Sequence, residues 1–208
     1  MKYIPLFNLA ILGLLAFLSI LTLPKFKRNE LPWKIISIYI VGSFIAQGVA
    51  HGYWEMKWNN LKILHIYSLF QFVAFSAFYR SITVRKTKRL LIMLFSSAIS
   101  LFLVLNSIWF ESLQDFNSLG VFISYGTIIV FAVSHFFEVL GADTSTKKYL
   151  IINSGILLFV SESLVIFLFG NFLKNIAQID QTGLWYTHGA TNILFLLLIL
   201  WNHVKLNR

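Results

Sequence analysis

The sequence predicts an all-α, polytopic membrane bundle of seven transmembrane helices. Two observations carry that prediction. The 208-residue chain is 58% hydrophobic and only 12% charged, with a mean hydropathy of +0.76, whereas soluble domains carry about 25% charged residues. Its apolar residues also gather into seven runs near the roughly 20 residues that a helix needs to cross the hydrocarbon layer. Runs this continuous are not the short alternating segments of a membrane β-barrel.

The predicted spans are 4–23, 34–53, 61–80, 89–109, 118–140, 149–170 and 184–204, forming a single domain over 1–208. The first follows Lys2 like a signal peptide. It exceeds the 7–15 residues of a signal core, and Leu21-Thr22-Leu23-Pro24 offers no small-residue cleavage site, so a retained helix is expected. Pro24 and Pro32 bracket the break before the second span, and Trp54 to Asn60 separates the second from the third. The basic run Arg85-Lys86-Thr87-Lys88-Arg89 precedes the fourth, and Glu111 to Asn117 follows it. Gly141-Ala142-Asp143-Thr144 closes the fifth, and Gly170 to Gly183 closes the sixth.

The formal net charge is +9, and its distribution points to orientation rather than to nucleic acid. The loops on one side hold 13 basic residues, from Lys25, Lys27 and Arg28 through the run at 85–89 to Lys205 and Arg208. The other side holds Lys2, Lys57, Lys62 and Lys174, and the two sets account for all 17. The positive-inside rule then puts the amino terminus outside and the carboxyl terminus in the cytoplasm. Trp33, Trp54, Trp58, Trp109, Trp185 and Trp201 fall near span ends, where interfacial anchors belong. Membrane lipids are the expected neighbours of the basic loops, and no nucleic-acid partner is expected. The oligomeric state is not legible.

Chemistry is constrained next. The chain has no cysteine, which removes disulfides, thiolate metal ligands and cysteine nucleophiles. The informative residues are polar ones at membrane depth, where burial is costly. Glu162, in Ser161-Glu162-Ser163, lies eight residues before Gly170, about 12 Å below the outer end at ~1.5 Å per residue. His188 and Asn192 are four apart on one face of the last helix, about 6 and 12 Å deep, beside Trp185 and Thr191. Gln47 and His51 share a face near the outer end of the second span. His65, Ser68 and Gln71 run down the third. The fourth and fifth spans offer little at this depth.

Three readings fit this outer cluster. The groups could satisfy one another between helices as packing. Glu162, His188, Asn192, His65, His51, Gln47, Gln71 and Trp185 could instead line an outward-facing ligand pocket. Or the three histidines could hold Zn²⁺ with Glu162 as base for a bound water, although neither an HExxH nor an HxxxH spacing occurs. No catalytic residue, metal or cofactor is assigned. At the inner end, His135 and Glu138 could form a pH-sensitive pair, or could snorkel to meet loop lysines.

Known seven-helix functions narrow the field. A retinal protein needs a lysine in its last helix, and none lies between Leu184 and Val204. Alternating-access transporters often break helices near the midplane, yet Pro5, Pro24 and Pro32 all sit near span ends. His188 resembles the last-helix histidine of the alkaline-ceramidase and progestin-receptor superfamily, where the second expected histidine is replaced here by Asn192. The segments Asn59-Asn60-Leu61, His65-Ile66-Tyr67, Phe78-Tyr79-Arg80 and Ile152 to Leu157, with Trp185, His188, Asn192 and Trp201, resemble a group of small seven-helix membrane proteins of Bacteroidetes-type bacteria. Gln71 stands where such proteins often carry Glu. The resemblance implies a bacterial inner-membrane location and a signalling-associated role. The expected function is therefore sensory or receptor-like, with a small or lipidic ligand and a separate cytoplasmic or membrane partner. A membrane-embedded metal-dependent lipid hydrolase and a structural subunit of a membrane complex are the alternatives.

Overall fold

The computed structural model describes residues 4–115, 117–140, 147–175 and 182–206. The break expected at Gly141-Ala142-Asp143-Thr144 lies outside the described residues, as do Lys2, Arg208 and the 176–181 part of the break expected from Gly170 to Gly183, whose remaining residues are helical. Among the described residues there are seven helices long and apolar enough to cross a membrane, which makes the chain a multi-pass membrane protein.

Helix α1 runs Ile4–Thr22 and passes into a single 3-10 turn at Leu23–Lys25. Helix α2, Leu31–Glu55, starts before Lys34 because Pro32 sits in its first turn, where a missing N–H costs nothing. Helix α3 is Leu61–Ile82 and α4 is Lys86–Trp109. Lys86, Lys88 and Arg89 therefore belong to the first turn of α4 rather than to a loop, and only Thr83 to Arg85 connect the two helices. Helix α5, Ser118–Leu140, has the predicted bounds. Helix α6, Leu150–Asn175, follows a 3-10 turn at Lys147–Tyr149 and continues through Gly170. One glycine costs a helix only about 1 kcal/mol, too little to end it without a proline. Helix α7 is Thr182–Leu206.

Packing turns these rods into a ring. Each of α1, α2 and α3 packs on the next, as do α5, α6 and α7, and α7 closes onto α1. Helix α3 also meets α5 directly, so α4 sits outside the ring against both. Its outward face carries exposed Leu90, Leu94, Phe95, Leu101 and Ile108, an apolar surface that lipid covers without penalty.

Aromatic and branched side chains fill the core of the ring. Tyr39, Phe75 and Phe195 are fully buried, with ring centroids 4.8 to 6.0 Å apart. Gly155 lets α6 approach α7 here, since a Cβ in its place would lie 2.9 Å from the Phe195 ring. Tyr79 donates to Asn153 at 2.8 Å, and Asn153 donates to the Ala132 carbonyl at 3.3 Å, tying α3 to α6 and α5. At the end of the bundle that carries the α3–α4 connection, Lys88 meets Glu138 at 2.6 Å, and Glu138 also accepts the Val84 N–H. His135 is not part of that pair. It is buried, with no hydrogen bond from either ring nitrogen to another described residue.

Candidate functional site

Towards the end of the bundle that carries the α2–α3 connection, the ring opens into a cavity of about 420 Å³ between α1, α2, α3, α5, α6 and α7. Small-molecule sites typically occupy ~300–1,000 Å³. The ring closure makes this space: α7 meets α1 while α5 holds α3, leaving six helix faces to converge. The cavity's mouth lies by Trp54, which is 48% exposed, and its floor is made by Gln71, Tyr125 and Phe159 above the aromatic core.

Of the eight residues singled out from the sequence, six line this cavity: Gln47, His51, Gln71, Trp185, His188 and Asn192. Glu162 stands directly behind. Its Oε2 lies 3.1 Å from His188 Nδ1, and Ser163 Oγ lies 3.5 Å from both partners. Glu162 thus faces the bundle interior, as cost requires of a carboxylate at this depth. Its second oxygen, Oε1, is buried without a hydrogen bond to another described residue. Phe159, Phe167 and Trp185 surround the imidazole at centroid distances of 5.8, 5.5 and 6.2 Å. With Nδ1 committed to Glu162, the ring is fixed in orientation and Nε2 is left for the cavity.

His65 is the exception, and the shared site loses it. It is 3% exposed and turned toward α4, with Nδ1 3.1 Å from Ser107 Oγ and Nε2 3.2 Å from the Asp115 carbonyl. Because α3 must face the ring, α4 and α5 at once, one side of its polar stripe is spent on α4. Among the described residues, no three of His, Asp and Glu are grouped as metal ligands.

The fourth and fifth helices contribute more than their sequences promised. Asn106 donates to Glu111 at 2.6 Å, Glu111 accepts the Leu119 N–H at 2.8 Å, and Asn117 donates to Ser68 at 2.8 Å. Helix α5 also supplies Tyr125, whose hydroxyl donates to Gln71 Oε1. The Gln71 amide N–H in turn donates to Tyr39 at 3.3 Å, while Tyr67 and Ser43 hydroxyls lie 3.0 Å apart. These tyrosines escape a reading based on charge and amides. Their hydroxyls, which need partners when buried, were the available signal.

Asn192 differs from all of these. It is 7% exposed and lines the cavity, yet its amide makes no hydrogen bond to another described residue. Buried amides are normally paired, because leaving one unpaired costs ~1–3 kcal/mol. Here the unused donor and acceptor face open space one helical turn below His188.

Fold and site together define a seven-helix membrane protein with a polar and aromatic cavity at one end of its ring. No protein-family model, curated protein or solved structure matches the chain.

Proposed function

We propose that the chain is a receptor-like membrane protein that binds a small or lipidic ligand in this cavity and signals through a separate partner. The observation that carries the reading is Asn192, buried and unpartnered on the cavity wall beside an imidazole locked by Glu162. Its donor and acceptor are spent on no other described helix and lie on the cavity wall. The basic residues at the opposite end support, by the positive-inside rule, a cavity mouth on the outer side and a cytoplasmic carboxyl terminus. The resemblance to small Bacteroidetes-type proteins supports the inner membrane of a bacterium. A metal-dependent hydrolase is less well supported, since His65 turns away from His188.

Purification from native membranes followed by mass spectrometry under non-denaturing conditions tests this reading. Wild-type protein should carry a bound small molecule, and Ala46→Trp, which fills the cavity from α2, should not. Two bare proteins would overturn it. For orientation, alkaline phosphatase fused after Arg208 should be inactive, while the same enzyme inserted at Gln114 should be active.

A further inference from the structure

The residues that line the cavity carry a chemical message beyond its existence. Among the described lining residues there is no Asp, Glu, Lys or Arg. Two carboxylates stand beside lining residues, and neither is on the wall: Glu162 is held on His188 Nδ1, and exposed Glu55 lies 3.8 Å from His51 at the rim. A charged ligand entering here would give up its hydration without a counter-charge, which is expensive in a low-dielectric site.

What the wall does offer is hydrogen bonding and flat aromatic surface. The Gln71 amide is already shared between Tyr125 and Tyr39. Asn192 is not shared, and a primary amide presents its N–H donor and carbonyl acceptor side by side. The group that completes both at once is another donor–acceptor edge of the same kind. Around it, Trp185, Phe167 and Phe159 give ring faces and edges that favour stacked or edge-on contact with a planar ring.

We infer that the cavity takes an uncharged ring compound bearing a hydrogen-bond donor and acceptor side by side, of carboxamide or lactam type, held edge-on by Asn192. This rests on the cavity being a ligand site at all, and the test separates the two claims.

Three probes of nearly equal size differ in charge and in the hydrogen-bonding edge that they present: benzamide pairs a donor with an acceptor, benzoate only accepts, and protonated benzylamine only donates. Each is titrated into the purified protein in detergent while thermal unfolding is followed. Benzamide should raise the melting temperature saturably, by about 3 °C at a concentration about tenfold above its dissociation constant. Benzoate and benzylamine should leave it unchanged. Asn192→Leu should keep the unliganded melting temperature, since no protein hydrogen bond is lost, and should abolish the benzamide shift. A shift with benzoate or benzylamine as large as that with benzamide would overturn the inference, as would no shift with any probe. So would an Asn192→Leu protein that melts lower or still responds to benzamide. If the probes fail but native protein still carries a cavity-dependent molecule, the ligand class alone is wrong. If native protein is also bare, the ligand site itself falls.

Discussion

Two polar clusters lie side by side at the end of the bundle that carries the α2–α3 and α4–α5 connections. One joins α3, α4 and α5 through His65, Ser68, Ser107, Asn106, Glu111 and Asn117, and nearly every donor in it has an acceptor. The other surrounds the cavity through Gln47, His51, His188 and Asn192, and much of its capacity is unspent. Both clusters contain histidine and asparagine, and both lie towards the same end of the bundle. What separates them is whether a neighbouring helix comes close enough to answer. Helix α4 leans on α3 and α5 and closes the first cluster into a bracket. The ring closure keeps the facing helices apart around the second. Polar groups at membrane depth thus mark structure where they are paired and a site where they face space.

The comparison breaks most readily at Glu111. This carboxylate accepts the Leu119 N–H at 2.8 Å and the Gly120 N–H at 3.4 Å, acting as an N-terminal cap for α5 from outside the helix. Glu111→Ala removes that cap and leaves the Asn106 amide N–H only its 3.5 Å contact with Asn117 Oδ1, and should lower stability by about 2–3 kcal/mol in equilibrium unfolding. Equal stability to wild type would mean that the bracket is not structural.

Two histidines sharpen the contrast. His65→Leu leaves Ser107 Oγ and the Asp115 carbonyl without their imidazole and should cost about 1–2 kcal/mol. His51→Leu, at the cavity rim, loses a 3.8 Å approach to exposed Glu55 and a stack on half-exposed Trp54 at 5.9 Å, and should cost less than about 1 kcal/mol. A reversed order in melting temperature would erase the distinction between the clusters. Glu162→Gln belongs between them. Its amide can still bond His188 Nδ1, so unfolding should shift by less than about 1 kcal/mol.

The smallest effect lies at the other end of the molecule and serves as a reference for both clusters. The hydrogen bond from Lys148, with a second from Tyr149, holds the Glu30 carboxyl below its ordinary value of 4.5. A lowered folded value means that the tie stabilises fully above about pH 4.5 and is lost as pH falls through the folded value. Glu30 is 62% exposed, so the effect is small. Melting measured between pH 6 and pH 3 should therefore fall slightly more for wild type than for Glu30→Gln, within about 1 kcal/mol.

Legibility followed the kind of signal. Asn192 and His188 could be placed on one face from their spacing alone, and their depth matched that of Glu162 by counting from the helix ends. His65 could not be assigned, because its stripe faces two neighbours and nothing in its own helix says which one takes it. Tyr125 was hidden for a related reason: an aromatic in an apolar run looks like core until its hydroxyl is seen to meet Gln71.

The sequence by itself determined that seven helices form and roughly where each begins. In hydrocarbon every backbone N–H and C=O must be satisfied within its own segment, so a long apolar run has no alternative to a helix. Composition and spacing also determined which side chains are polar at which depth. Only the tertiary structure decided what those side chains meet. Rotation about each helix axis and the choice of neighbours depend on contacts between residues far apart in the chain. The meetings of α7 with α1 and of α3 with α5 are set by how side chains such as Phe195 fit against Gly155, a matter of shape rather than of hydropathy. Those meetings put α4 outside the ring, turned His65 toward it, and left Asn192 facing a cavity.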